Sequence, residues 1–136
     1  MSNPAHTVRR LFDALGALDI ATVRTLLSED LHFELPFERG APTLDKAGLE
    51  RLFTGLFASF SRFDLNIVEV IECADPARVV VRYTGDCLSS DGAVTYANSY
   101  IGLFTVTGGQ VAQWCEYTNP VLTRRMNEQL NAVSFG

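Results

Sequence analysis

Apolar positions in the first sixty residues fall at helical spacing, and those after residue 63 fall mostly at every second position. Val8, Leu11, Phe12 and Leu15 form one stripe of an amphipathic helix, with Pro4 suited to its first position and Asn3 to its N-cap. Asp19 is placed to cap a second helix with the stripe Ile20, Val23, Leu26 and Leu27. Residues 31–37 then alternate apolar and polar like a short strand. Pro36, which cannot donate to a ladder, marks that strand as an edge or a bulge. Asp45 caps the densest helical pattern, in which Leu49, Leu52, Phe53, Leu56, Phe57 and Phe60 share one face.

The period changes to two at Phe63. Phe63, Leu65, Ile67 and Ile71 share one face of a first long strand, and Val68 and Val70 the other. Glu69 interrupts the apolar face, which marks either a bulge or a pairing with an arginine. A second strand covers 78–88, bounded by the turn Ser89-Ser90-Asp91-Gly92. A third covers 93–106 and closes at Gly108-Gly109, and a fourth covers 111–119 and ends at Pro120. The polar tail 121–133 has room for a short helix. Consecutive hairpin strands after a helical third predict a single α+β domain over residues 1–136. About three N-terminal and central helices pack on a strongly curved, mostly antiparallel sheet. Such a sheet wrapped around a helix makes a cone-shaped barrel, open at one end.

Composition narrows what the cone is for. With 47% hydrophobic residues a real core forms, and disorder is excluded. Sixteen Asp and Glu against 11 Lys and Arg give a net charge of −5, which repels phosphate backbones and anionic lipid. No apolar run has the length of a membrane span, and the first residues lack the pattern of a signal peptide. Three widely spaced cysteines, Cys73, Cys87 and Cys115, fit reduced thiols in a cytoplasmic protein. The expected partner is therefore a small hydrophobic or aromatic ligand, with neither nucleic acid nor membrane involved. With only His6 and His32 as histidines no metal set is visible, and no cofactor-binding motif occurs.

Strand alternation selects candidate chemistry. Trp114, Glu116 and Thr118 share one face of the last strand, and Tyr96, Asn98, Tyr100, Gly102 and Phe104 one face of the strand before it. If Trp114 points inward, Glu116 lies beside it among aromatics, where lost hydration raises a carboxyl pKa towards neutrality. That is the state a general acid or base needs. Tyr100 and Asn98 are then candidate donors to a carbonyl oxygen, and Thr118 orients the carboxyl or a water. Phe33, Leu35 and Phe37 from the short strand, with Phe53, Phe57 and Phe60 from the third helix, form the opposite wall. With Tyr96 and Trp114 they suit a flat, ring-bearing molecule. The alternatives are that Glu116 pairs with an arginine such as Arg82, and that Asn98 is a satisfied wall residue. Tyr83 and Tyr96 face either the cavity or the outer sheet surface.

The element order, with Leu31-His32-Phe33-Glu34-Leu35-Pro36-Phe37, Tyr96-Ala97-Asn98-Ser99-Tyr100-Ile101 and Cys115-Glu116-Tyr117-Thr118-Asn119-Pro120, resembles the nuclear transport factor 2-like superfamily. This group includes ketosteroid isomerase-like and SnoaL-like proteins, and the last strand looks most like the phenazine-biosynthesis A/B type. The resemblance implies a homodimer with one small-molecule pocket per subunit and no metal or organic cofactor. Carried over residue by residue, the ketosteroid isomerase base falls on Leu35, its tyrosine near Leu11 and its protonated acid near Gly102. None of these carries a proton, which disfavours steroid-type isomerisation. The acid of the last strand falls on Glu116, whereas the histidine of the phenazine type falls near Ser59. SnoaL-like cyclases have a histidine on the neighbouring strand, and none lies between Tyr96 and Phe104.

Two functions follow as expectations. One is cofactor-independent isomerase, cyclase or lyase chemistry on a small cyclic or aromatic metabolite, with Glu116 as proton shuttle. The other is a ligand-binding or accessory dimer without turnover. The open sheet face, carrying Val80, Tyr117 and Cys115, is the expected homodimer surface.

Overall fold

A computed structural model describes residues 3–135, with side chains up to Asn131. Three helices begin where the capping residues predict. Asn3 accepts from the N–H of Ala5 at 2.9 Å ahead of α1 (Pro4–Gly16). Asp19 accepts from Thr22 at 3.1 Å ahead of α2 (Ile20–Leu26), and Asp45 from Gly48 at 2.8 Å ahead of α3 (Lys46–Ser59). In each case a short side-chain oxygen satisfies an N–H that the helix leaves unpaired.

The strands are β1 (Leu27–Glu34), β2 (Phe60–Glu72), β3 (Arg78–Ser89), β4 (Thr95–Thr107) and β5 (Gln110–Thr118). They form one sheet in the order β1-β5-β4-β3-β2. Strands β2 to β5 pair antiparallel, and β1 returns to lie parallel to β5. The sheet is thus mixed and curls without closing, because β1 and β2 remain edges. A fourth helix, α4 (Pro120–Phe135), follows β5 with Pro120 at its first position. It is longer than the short helix allowed for the tail, and it is the fourth helix among the described residues.

Two local departures from the expected pattern have simple causes. The first strand runs from Leu27 to Glu34, earlier than 31–37, and the chain leaves it before Pro36. In β2, Ile67 pairs with Tyr83 and Glu69 with Arg82, so Val68 is an extra residue with no partner of its own. This bulge reverses the alternation: Ile67 and Val70 pack inward, while Val68 and Ile71 are exposed. Ile71 therefore does not share the inner face with Phe63. Glu69 marks both features expected of it, since its carboxylate also pairs with Arg82 at 2.9 Å on the outer face.

The core lies inside the curl. Val8, Leu11, Phe12 and Leu15 of α1 are buried with Val79, Val81, Tyr83, Phe104 and Trp114 of the sheet. Burying each large apolar side chain contributes about 1.5–3 kcal/mol. A second cluster joins Phe60, Cys87 and Tyr96 to Met126 of α4. The inner space that α1 leaves free is flanked by α3 and α4.

Candidate functional site

That space is a cavity of about 300 Å³. Sheet residues Phe33, Phe63, Tyr96, Tyr100, Trp114, Glu116 and Thr118 line it, with Leu35 and Glu38 from the loop after β1. Leu52, Phe53 and Leu56 of α3, Thr123, Met126 and Asn127 of α4, Leu65 of β2 and Ala41 of the loop complete the wall. No arginine, lysine or histidine is among the lining residues.

Glu116 is the chemical centre. Its partner residue across the sheet is Gly102 of β4, which has no side chain. Tyr83, one strand further on β3, reaches over that gap and donates its hydroxyl proton to Glu116 Oε1 at 2.5 Å. The same hydroxyl oxygen accepts from the indole N–H of Trp114 at 3.2 Å. The Tyr83 ring stacks on Tyr100 at 4.9 Å with planes 7° apart, so it is held on its face as well as its tip.

Burial pushes the Glu116 carboxyl from the ordinary 4.5 up to about 7, opposed by the hydrogen bond from Tyr83. The ion pairs of the described residues do not include it, and Arg82 is taken by Glu69 on the outer face. Burial first, then the charge of Glu116, raises the Tyr83 hydroxyl well above its usual range, so it remains a donor. At neutral pH the pair therefore holds a carboxyl able both to give and to take a proton. Tyr83→Phe removes the one interaction that lowers the Glu116 pKa. Titration by carboxyl 13C NMR is expected to move upward by on the order of one pH unit in this variant.

A second set of hydrogen bonds runs beside the first. Tyr96 oxygen accepts from Asn98 Nδ2 at 2.8 Å and from the Tyr100 hydroxyl at 3.0 Å. With both lone pairs used, its own proton faces Thr123 Oγ1 at 3.3 Å. Asn98 Nδ2 also donates to the carbonyl of Asn119 at 3.1 Å, and Asn98 Oδ1 accepts from the Ser99 N–H at 2.9 Å.

Residues 8–114 match the SnoaL-like domain family. This chain is a SnoaL-like domain. No curated protein matches it closely in sequence. Among solved structures, this SnoaL-like domain is similar to the BvnE pinacolase from Penicillium brevicompactum, at 16% identity and a TM-score of 0.83, covering 97% of this chain and 96% of that one. It is also similar to an LEH-like epoxide hydrolase from M. tuberculosis, at 21% identity and a TM-score of 0.74, covering 97% and 95%. PrhC from Penicillium brasilianum gives a TM-score of 0.86 at 12% identity, covering 97% and 90%. At these identities the likeness establishes the nuclear transport factor 2-like fold.

Within this SnoaL-like domain the sequence-selected residues divide into three groups. Glu116, Tyr100, Trp114, Thr118, Tyr96, Phe33, Leu35 and Phe53 all meet at the cavity. Phe57, Phe60 and Asn98 stand behind its wall. Phe57 stacks on Phe53 at 6.0 Å, Phe60 is buried beside Tyr96, and the Asn98 amide is held by Tyr96 and Asn119. The Asn98 amide therefore has the satisfied hydrogen bonds of a wall residue, the alternative that the sequence left open beside a donor to a ligand carbonyl. Phe37 is the clear exception. It is 59% exposed and packs edge-on against Tyr117 at 5.0 Å, because alternation lapses once the chain leaves β1 at Glu34.

Of the positions that the family resemblance assigns to other catalytic groups, Leu35 is a wall residue and Leu11 is in the core. Ser59 donates to the Gly55 carbonyl at 3.0 Å, an ordinary helical contact. Sequence reasoning left Tyr83 undecided and missed Glu38 and the α4 residues. For α4 a signal existed, since Leu122, Met126 and Leu130 recur every four residues. Among the described residues no three His, Cys, Asp or Glu side chains gather as a metal site requires. No described helix is long and apolar enough to cross a membrane.

Proposed function

We propose that this SnoaL-like domain is an enzyme of the isomerase or cyclase type, and that Glu116 moves a proton within a small, ring-bearing, largely apolar substrate. The observation that carries the reading is a carboxyl on the wall of an aromatic cavity, held by the Tyr83 hydroxyl that Trp114 in turn orients, where burial pushes it up to about 7. The substrate stacks against Trp114 and Phe53, where ring contacts supply affinity without polar cost. Protonated Glu116 delivers a proton as charge develops on the substrate, and its carboxylate recovers one from the neighbouring atom. Tyr100 can rotate its proton from Tyr96 to a substrate oxygen, because Asn98 still satisfies Tyr96. The pinacolase and epoxide hydrolase names among the similar folds are consistent with this class and leave the substrate open.

Carboxyl 13C NMR tests the reading. Glu116 is expected to titrate near 7 and to shift when polycyclic aromatic ketones bind. A carboxyl titrating near 4.5 would sink the proton shuttle and leave a ligand-binding protein. The same proposal includes a homodimer through the outer sheet face, where exposed Phe37, Val68 and Ile101 line one open hollow. Sedimentation is expected to give twice the chain mass, and Val68→Glu combined with Ile101→Glu to give one chain mass. A monomeric wild type would remove the dimer from the proposal.

A further inference from the structure

The wall carries a second carboxyl with no part in that chemistry. Glu38 lies in the loop between β1 and α3, and its Oε1 is buried without a hydrogen-bond partner. Among the described residues, no other buried side-chain nitrogen or oxygen is left so. The loop around it is firmly tied. The Glu38 N–H donates to the Leu35 carbonyl at 3.0 Å, and the Glu38 carbonyl accepts from Ala41 at 3.1 Å. Phe33 and Leu44 exchange two backbone hydrogen bonds of 2.9 Å at its base. A buried, unpaired acceptor is costly, and native proteins keep few of them unless something else supplies the donor.

The surroundings define that donor. Beside Glu38 the lining is aromatic and aliphatic, its other polar groups are hydroxyls, one amide and Glu116, and it holds no basic side chain. A carboxylate only accepts hydrogen bonds, so its complement is an O–H or N–H. An anionic ligand would meet two carboxyls and no cation.

We infer that Glu38 is a substrate-binding residue that accepts a hydrogen bond from a hydroxyl or ammonium group of the ligand. The site then takes ring-bearing alcohols, phenols or amines and rejects carboxylates. The inference rests on the cavity being the ligand site and names the substrate class for it. Orientation follows, because the donor is held at the loop while Glu116 acts from β5.

Matched naphthalene probes test this, read by quenching of Trp114, the single tryptophan of the chain and a lining residue. On wild type, 2-naphthaleneethanol and 2-(2-naphthyl)ethylamine are expected to bind about tenfold more tightly than 2-ethylnaphthalene, as one hydrogen bond to a charged acceptor provides. The weakest is expected to be 2-naphthylacetate. Glu38→Ala should abolish the preference while leaving 2-ethylnaphthalene within about twofold of wild type, as a lost polar contact requires. Glu38→Gln, which keeps the shape and an acceptor oxygen, should retain the alcohol's advantage and lose the amine's. A tighter alcohol alone assigns a hydroxyl donor, and a tighter amine alone an ammonium. Absence of binding, equal binding of the probes to wild type, or a preference that survives Glu38→Ala overturns the inference. Failure of the acid–base reading would appear instead as a Glu116 pKa near 4.5, with the Glu38-dependent preference intact.

Discussion

Glu116→Gln is expected to be more stable than wild type above pH 7 and close to it at pH 5, while losing proton-transfer activity by about 10²–10⁴-fold. In the unfolded chain the carboxyl titrates near 4.5, and in the folded protein near 7. Between these values the folded state holds a proton that the unfolded state has released. Stability of the wild type therefore falls as pH rises through this window and is constant beyond it. At about 1.36 kcal/mol per pH unit the loss is on the order of 3 kcal/mol by pH 8.5. Glutamine has no proton to release and still offers an oxygen to the Tyr83 hydroxyl. Urea unfolding at pH 5 and pH 8.5 should thus show a gap between the two proteins that opens with pH. A gap that stays constant would mean that burial does not hold Glu116 protonated. The stability lost to a buried, ionising carboxyl is a cost of keeping an acid–base group in an aromatic cavity.

How much of this was legible in the sequence depends on how local each determinant is. Asn3, Asp19 and Asp45 act within three residues, and all three caps are seen. Alternation along β5 puts Trp114, Glu116 and Thr118 on one face, and all three reach the cavity. Val68 and Ile71 were harder, because a single bulged residue reverses every side chain beyond it. Phe37 lies past the end of its strand, where period-two reasoning has no basis. The partner of Glu116 depends on register across three strands, which places Tyr83 two strands away and Gly102 between them. Glu38 sits in a loop without periodicity, and only tertiary structure shows that its oxygen is buried and unpaired.

Gly102→Ala is expected to destabilise the fold by about 1–3 kcal/mol and to disturb Glu116 without touching it. A β-carbon at this position would lie 2.6 Å from Phe104 Cε2 and 3.0 Å from Tyr83 Cε1. Both rings are 1% exposed and enclosed by Phe12 and Trp114, so neither can yield freely. The requirement here is for space rather than for an unusual backbone angle. Space is also what lets Tyr83 cross from β3 to Glu116 on β5 over the strand between them. By resemblance, Gly102 stands near the protonated acid of ketosteroid isomerases. In this chain an empty position on β4 admits a tyrosine donor from β3 instead. Displacing the Tyr83 ring lengthens its bond to Glu116, which weakens the one interaction that lowers that carboxyl's pKa. Glu116 should therefore titrate higher in Gly102→Ala, in the same direction as in Tyr83→Phe, alongside a lower urea midpoint. If the variant matches wild type in both measurements, the Tyr83–Glu116 contact does not depend on the glycine. If only the midpoint falls, Gly102 serves packing alone.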